Sequence, residues 1–227
     1  MFRKSLLLSV LIPAFVMSLI ASGRCGEEGK SALDIKLPKP MFVGTPKPAK
    51  SANLETSKGS KLRGPFYAPE GTKNVALGKR VVSSDMMPII GELSLITDDD
   101  KEACDGSYVE LGPMQQHIQI DLESECTLSA IVIWHYHSEA RVYRDVVVQV
   151  ADDADFIKDV KTIFNNDHDN SSGLGIGQDK EWVETYEGKL IDAKGVTGRY
   201  VRLYSNGSTS SEMNHYIEVA VYGKPVK

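Results

Sequence analysis

The pattern of apolar and polar residues changes near residue 73. From there onward, short runs of β-branched and aromatic residues recur between clusters of Gly, Asn and Asp. No window of eleven residues repeats its apolar positions with the 3.6-residue period of an amphipathic helix. This spacing predicts an all-β fold, an antiparallel jelly-roll β-sandwich. The predicted strands are 117–122, 128–134, 145–151, 160–165, 180–188, 198–205 and 216–223.

Two of the predicted strands are almost continuously apolar. The sequence of residues 128–134 is LSAIVIW, and that of residues 145–151 is DVVVQVA. By contrast, HIQIDL at 117–122 alternates between apolar and polar side chains, as expected of a strand with one buried face. A continuous apolar strand is instead expected to be buried on both faces.

The first residues predict export. Arg3 and Lys4 precede an apolar stretch of 17 residues, 5–21, which small residues follow. This pattern is typical of a signal peptide, assigned to residues 1–23, although a membrane anchor remains an alternative. Lipidation at Cys25 is a less favoured alternative. The protein is therefore expected to be secreted, periplasmic or at the cell surface, with no transmembrane helix in the mature chain.

The next segment, residues 24–72, contains Lys-Pro repeats and small residues without an apolar period. It is predicted to be a flexible, disordered linker. The folded domain is then 73–227, long enough to bury one core. This domain has fifteen Lys and Arg residues against twenty-six Asp and Glu residues, a net charge of −11. An acidic surface argues against a nucleic-acid partner, because phosphates attract a basic face.

Two cysteines, Cys104 and Cys126, lie in the predicted domain. Outside the cytoplasm such a pair can form a disulfide, and this is one prediction. Two separate buried thiols are the alternative.

Several segments, taken in order, resemble discoidin domains, the type C domains of coagulation factors, also found as bacterial sugar-binding modules. They are NVALGKRVVSSD, HIQIDLES, LSAIVIW, YRDVVVQVADDADF, GRYVRLY and YIEVAVYG, and together they cover about residues 73–223. The resemblance implies an exported bacterial offshoot with a galactose-binding-like jelly roll. Such domains are normally non-enzymatic and bind glycans or lipid head groups through loops at one end.

The chain departs from the family pattern at two places. Asp98 and Asp99 stand where the family usually has Asp-Gly, and the segment 164–181 is longer than the usual turn. Glycine adopts a positive φ at little cost, so the second aspartate puts the geometry of that turn in question.

The segment TDDDKEACDG contains six oxygen-bearing side chains within nine residues. Calcium takes six to eight oxygen ligands, and such a loop can supply several of them. The family resemblance implies a structural Ca²⁺ shared by this loop and a glutamate on the last strand. Matched by position, its ligands are Asp98, Asp100 and Glu218. The alternative is a solvated acidic turn.

The segment between the two continuous strands, 135–144, is rich in His, Tyr, Glu and Arg. If those strands are neighbours, this segment connects them at one end of the sandwich, where the turns 165–170 and 205–216 join it. The predicted ligand-binding residues are His135, His137, Glu139, Arg141, Tyr143, Asn166, His168, Asp169, Asn214 and His215.

Four interpretations compete for this surface. In the first, these side chains bind sugar hydroxyls while Tyr143 or Trp182 packs on a sugar ring. In the second, His135 and His137 hold a transition metal together with His168 or an Asp. In the third, Arg141 neutralises a uronate in a lyase-like centre while a Tyr or His moves the proton. In the fourth, the loops satisfy each other's polar groups.

The sequence favours a non-catalytic carbohydrate-binding or cell-surface adhesion module. Its predicted partner is a glycan or cell-surface polysaccharide, with an envelope protein as a further candidate. An enzyme is less favoured, because no spacing marks a nucleophile elbow or a metalloprotease helix. A polysaccharide-active, lyase-like enzyme and a purely structural envelope protein remain the alternatives.

Overall fold

The structure, a computed structural model, describes residues 29–41, 51, 53–56 and 62–226. The predicted signal peptide, 1–23, and Cys25 lie outside the described residues. No helix in the described ranges has the length and hydropathy of a membrane span. A short 3₁₀ helix covers Leu93–Thr97. The strands are β1 (Lys30–Ala32), β2 (Tyr67–Pro69), β3 (Lys73–Asn74), β4 (Val81–Ser83), β5 (Val109–Pro113), β6 (Gln116–Trp134), β7 (Val147–Ala151), β8 (Lys161–Asn165), β9 (Lys189–Ser205), β10 (Met213–Tyr216) and β11 (Glu218–Pro225).

The strands pair antiparallel throughout the described chain. The large sheet has the order β3-β11-β6-β9-β7-β8, and β4 pairs with β6 beside this path. A small sheet consists of β5 and β10, and a second one consists of β1 and β2. The prediction of an all-β antiparallel fold is therefore confirmed.

The longest strand, β6, folds back on itself. At about 3.3 Å per residue, its 19 residues would span ~60 Å if they were straight. Gln116 at its start pairs with Ser205, whose Oγ lies 3.0 Å from the hydroxyl of Tyr216. The ring of Tyr216 lies 5.0 Å from that of His135, just beyond the strand's end. The two ends of β6 are therefore close together, and its halves form the two layers of a sandwich.

Irregularities in the pairing of β6 with β9 mark the bends. The register of β6 shifts between Asp121 and Cys126, and Glu123 has a φ of 66°. The Asp121 side chain accepts a hydrogen bond of 2.8 Å from the Glu123 N–H, as in an Asx turn. Lys194 in β9 has a φ of 51° and follows Asp192 in the same way. Strands that pass from one layer to the other commonly turn at bulges of this kind.

The main core lies between the two layers. Alternate side chains of the first half of β6, Ile118 and Ile120, face Ile131 and Ile133 of its second half in one buried cluster. Neighbouring strands add the inward-facing side chains Val148, Val150, Val201, Leu203, Val219 and Val221.

A second apolar cluster covers the outer face of the second half of β6. Here Val132 and Trp134 pack with Ala220 and Tyr222 of β11. Three side chains from earlier in the chain cover this cluster, namely Leu33, Ile35 and Phe66. The run 128–134 is thus buried on both faces, as its apolar sequence predicts, because the N-terminal segment forms a third layer.

The described part of the predicted linker is consequently not a free spacer. Its strand β1 pairs with β2, and the Leu33 N–H donates to the Phe66 carbonyl at 2.8 Å. The Arg63 guanidinium donates to the carbonyls of Glu187 and Gly188 at 3.0 and 2.9 Å. The Lys/Pro-rich composition concealed the alternation of Leu33 and Ile35, which face inward between exposed neighbours.

Two further expectations need correction. Strand β9 lies between β6 and β7, so the continuous apolar strands are not neighbours. The segment 135–146 therefore crosses from one layer to the other at the end of the sandwich. Cys104 and Cys126 are both free thiols, and the predicted disulfide is not formed. Cys104 is exposed, whereas Cys126 is buried in the main core.

We expect the N-terminal segment to stabilise the domain. The double variant Leu33→Ala/Ile35→Ala should lower the free energy of unfolding by about 2 kcal/mol, because it strips apolar cover from Trp134 and its neighbours. Urea denaturation measures this difference. Leu37→Ala is the matched control, since Leu37 is 40% exposed in the same segment. Equal effects of the double variant and the control would contradict a covering role.

Candidate functional site

Three loops meet at one end of the sandwich, which we call the loop end. They are the crossing segment 135–146, the turn 166–177 and the turn 206–212. The Arg144 N–H donates to the Gly207 carbonyl at 3.1 Å, which joins the first loop to the third. The Asp145 carboxylate accepts hydrogen bonds of 2.8 Å from Ser171 Oγ and Asn206 Nδ2, which joins all three.

Six of the ten predicted ligand residues are buried at the loop end. Their exposure lies between 0% and 4%, which closes them to a ligand in solution. They are His135, His137, Tyr143, Asn166, Asn214 and His215. Five of them, all except Tyr143, use a polar atom to bond neighbouring parts of the protein, which fits the fourth interpretation above in part. One polar atom in each of these side chains except Asn214 has no hydrogen-bond partner in the described chain. Polar residues of connecting loops look alike in sequence whether they face water or one another.

His135 joins the crossing segment to residue 184. Its Nδ1 lies 2.6 Å from Glu184 Oε1, and both side chains are fully buried. Its ring stacks on that of Tyr143, with centroids 4.3 Å apart and planes 24° apart. His137 instead places Nε2 3.0 Å from the carbonyl oxygen of Lys101. These two imidazoles serve different contacts and do not form the predicted transition-metal site.

Asn214 uses its whole amide group. Its Oδ1 accepts hydrogen bonds of 2.8 Å from Ser205 Oγ and from the Gly207 N–H. Its Nδ2 donates to the carbonyls of Gly112 and Met114, again at 2.8 Å. One buried side chain thus ties β9, the turn 206–212 and the end of β5 together.

Arg141 and Glu139 lie closer to the surface and pair with each other. Arg141 Nε donates to Glu139 Oε2 at 3.0 Å, and the guanidinium carbon lies 4.5 Å from the centre of the Tyr136 ring. His215 lies beneath this pair, where burial, followed by the Arg141 charge, lowers the pKa of His215 to about 4. Burial also raises the pKa of Tyr143 far above its usual range, so that this phenol stays protonated at neutral pH.

An open cleft of about 350 Å³ lies beside this buried network. It is polar, and its exposed lining residues are Arg144, His168, Asp169, Ser171 and Thr209. The full lining is Ser51, Arg144, Asp145, His168, Asp169, Ser171, Glu181, Asn206 and Thr209. His168 and Asp169 were predicted from the sequence, whereas Arg144 and Glu181 were missed. The alternation of buried Tyr143 with exposed Arg144, just before β7, is the signal that could have found the arginine.

The N-terminal segment also borders this cleft. Leu54 forms a parallel bridge with Glu181, and the Glu55 N–H donates to the Glu181 carbonyl at 2.8 Å. Burial raises the pKa of the Glu181 carboxyl, while the nearby His168 lowers it. A segment that the composition assigns to a linker therefore helps to position a lining residue.

Three carboxylates meet at the edge of the cleft. The nearest oxygens of Asp145, Asp167 and Asp169 lie within 4.8 Å of one another, and in the described chain this is the one group that could hold a metal ion. Asp167 is buried, which by itself raises its pKa, but hydrogen bonds from Ser172 and Ser171 lower the pKa of Asp167 overall. Hydroxyl and N–H groups therefore already donate hydrogen bonds to several carboxylate oxygens of this group.

The predicted calcium ligands Asp98, Asp100 and Glu218 do not form such a group within the described residues. Asp98 Oδ1 accepts the Asp100 N–H at 2.9 Å, and Asp100 Oδ1 accepts the Glu102 N–H at 2.9 Å. Both exposed carboxylates therefore shape the turn itself. Glu218 is fully buried, and the residue that approaches it with a positive charge is Lys101. A donor set that includes an ammonium does not fit a calcium ion.

Neither a comparison with protein-family models nor one with curated proteins found a match. Among solved structures, CBM32 of AlyQ in complex with 4,5-unsaturated mannuronic acid has 15% identity and a TM-score of 0.47, over 63% of this chain and 92% of that chain. A fucose-binding module of Streptococcus pneumoniae, SpX-3, has 19% identity and a TM-score of 0.46, over 66% and 97%.

A family 89 glycoside hydrolase from Clostridium perfringens, in complex with 2-acetamido-1,2-dideoxynojirmycin, has 18% identity and a TM-score of 0.48. The match covers 67% of this chain but only 15% of the hydrolase. At these identities and TM-scores, the likenesses assign neither ligand nor activity to this chain.

We expect Asn214 to be required for stability. Asn214→Leu should lower the free energy of unfolding by about 3 kcal/mol or more, because two donors and two acceptors lose a buried partner. Chemical denaturation measures this loss. Asn206→Leu, which removes one hydrogen bond in the neighbouring turn 206–212, should cost about 1 kcal/mol. An Asn214 variant as stable as this control would contradict the assigned role.

Proposed function

We propose that this chain is a non-catalytic glycan-binding module whose ligand site is the polar cleft of the loop end. The observation that carries the proposal is an open cleft with exposed Arg144, His168 and Asp169, supported by loops that are bonded to one another. Specific recognition by loops on a rigid β-sandwich is a frequent arrangement in binding proteins.

The lining chemistry suits sugar hydroxyls. Arg144 supplies guanidinium donors, the carboxylates of Asp145 and Asp169 supply acceptors, and the Asn206 amide supplies both. Asp145 and Asn206 already bond each other at 2.8 Å, so their geometry is set before a ligand arrives. A pre-organised site loses less conformational freedom on binding, which favours affinity. The two rings predicted to stack on a sugar, Tyr143 and Trp182, are buried. They therefore support the loops and do not line the proposed ligand site.

The buried part of the loop end does not support the lyase-like alternative. Of the predicted tyrosine and histidine ligands, Tyr143, His135, His137 and His215 are buried beneath the surface, whereas His168 is exposed in the cleft. A general base has to reach the proton that it removes, either directly or through one water. Calcium at Asp98, Asp100 and Glu218 is likewise not part of the proposal, because Lys101 approaches that position.

Arg144→Ala and His168→Ala should each weaken glycan binding by tenfold or more, because each removes an exposed polar contact from the cleft. A glycan array of neutral and acidic sugars identifies the ligand, and isothermal titration then gives the affinity of each variant. Arg80→Ala is the matched control, since Arg80 is an exposed arginine at the start of β4, outside the cleft.

Two results would count against this proposal. One is the absence of binding across the array by the folded wild-type protein. The other is binding that both cleft variants retain at wild-type affinity, which would place the glycan elsewhere on the surface.

A further inference from the structure

Lys101 lies within the acidic turn, yet its side chain is only 5% exposed. Its Nζ donates a hydrogen bond of 2.9 Å to the carbonyl oxygen of Asp99 and forms an ion pair with the Asp99 carboxylate. The ammonium also lies 5.4 Å from the centre of the Trp134 ring, a distance at which a cation is attracted to the ring face. A lysine in such surroundings is rare unless its charge is compensated.

The turn that carries Lys101 is fixed at several points. The Lys101 carbonyl oxygen lies 3.0 Å from His137 Nε2, and Ser138 Oγ donates to the Ala103 carbonyl. The loop end therefore anchors the turn on both sides of the Lys101 side chain.

Glu218, the first residue of β11, brings a carboxyl group to the same turn. It is fully buried, and its Oε2 accepts the Asp99 N–H at 3.2 Å. Its Oε1 has no hydrogen-bond partner in the described chain. Burial raises the pKa of Glu218 to about 8, although the nearby Lys101 charge acts to lower it. Charge on a buried carboxyl group is costly, and Lys101 is a cation that reduces this cost.

We propose that the Lys101 ammonium takes the place of the structural Ca²⁺ that the resemblance to discoidin domains implies between this loop and the last strand. The ammonium bonds a backbone carbonyl and a carboxylate of the turn, and its charge acts on the buried Glu218 of β11. Because it is covalently tethered, it cannot dissociate. The domain therefore carries its own cation and needs no metal for stability.

The same contact accounts for the departure from the family at Asp99. Asp99 has a φ of 72°, a conformation that glycine adopts more cheaply than other residues. Its carboxylate, which glycine lacks, pairs with Lys101. In this proposal, Asp99 and Lys101 act together in place of the metal ion: Lys101 supplies the positive charge, and Asp99 supplies the carboxylate that pairs with it.

The test compares the thermal unfolding of full-length protein in millimolar calcium chloride and in chelator at equal ionic strength. All proteins carry Asp169→Asn, so that calcium at the group Asp145, Asp167 and Asp169 does not contribute to the comparison. The parent should melt at the same temperature in both buffers. Lys101→Ala should melt about 5 °C lower or more in chelator and recover part of that loss in calcium, because the space left can admit the ion.

Two further variants serve as references. Lys101→Met keeps the length of the side chain without its charge, so it should lose stability and gain nothing from calcium. Lys79→Met removes an ion-paired lysine at the surface, where the contribution is small, and should melt close to the parent.

Three results would overturn the proposal. The first is a parent protein whose melting temperature falls in chelator. The second is a Lys101→Ala protein as stable in chelator as Lys79→Met. The third is a destabilised Lys101→Ala protein that calcium does not restore at all. If Lys101→Ala does not fold in chelator, recovery of folded protein on adding calcium gives the same information. None of these readouts depends on a glycan.

Discussion

The burial of the second half of β6 on both faces is the constraint on which the rest of this structure depends. One face closes the main core, and the other face, with Trp134 at its end, has to be covered by something else. Leu33, Ile35 and Phe66 supply that cover. The segment before the sandwich is therefore part of the fold, and its next portion reaches the rim of the cleft at Glu181.

The loop end combines an interior and an exterior made of similar residues. Inside, His135 with Glu184, and Asn214 with its four partners, fix the positions of the loops. Outside, Arg144, His168 and Asp169 are exposed at the cleft. Because buried polar groups are costly when unpaired, the inner network favours one arrangement of the loops over others. That rigidity is what makes the outer surface suitable for specific recognition.

Buried ionisable side chains also need partners that compensate their charge. Lys101 and Glu218 are removed from water at the junction of the acidic turn with β11 and are stabilised by compensation. In this respect the chain differs from the family that it resembles, although the layered antiparallel architecture is the one that the resemblance implies.

The sequence by itself determined the all-β class, the double burial of 128–134 and the presence of polar loops, because these follow from local periodicity and turn residues. It located several strands only in part: the predicted strand 180–188 is not formed, 117–122 and 128–134 belong to one strand, β6, and β5 was not predicted. It also pointed to His168 and Asp169. Only the tertiary structure decided which polar residues face water, since Asn214 and Asn206 have the same local chemistry but different neighbours. It likewise placed β9 between β6 and β7, left the two cysteines unpaired and brought Lys101 to Glu218. These outcomes depend on contacts between residues far apart in the chain, which periodicity does not encode.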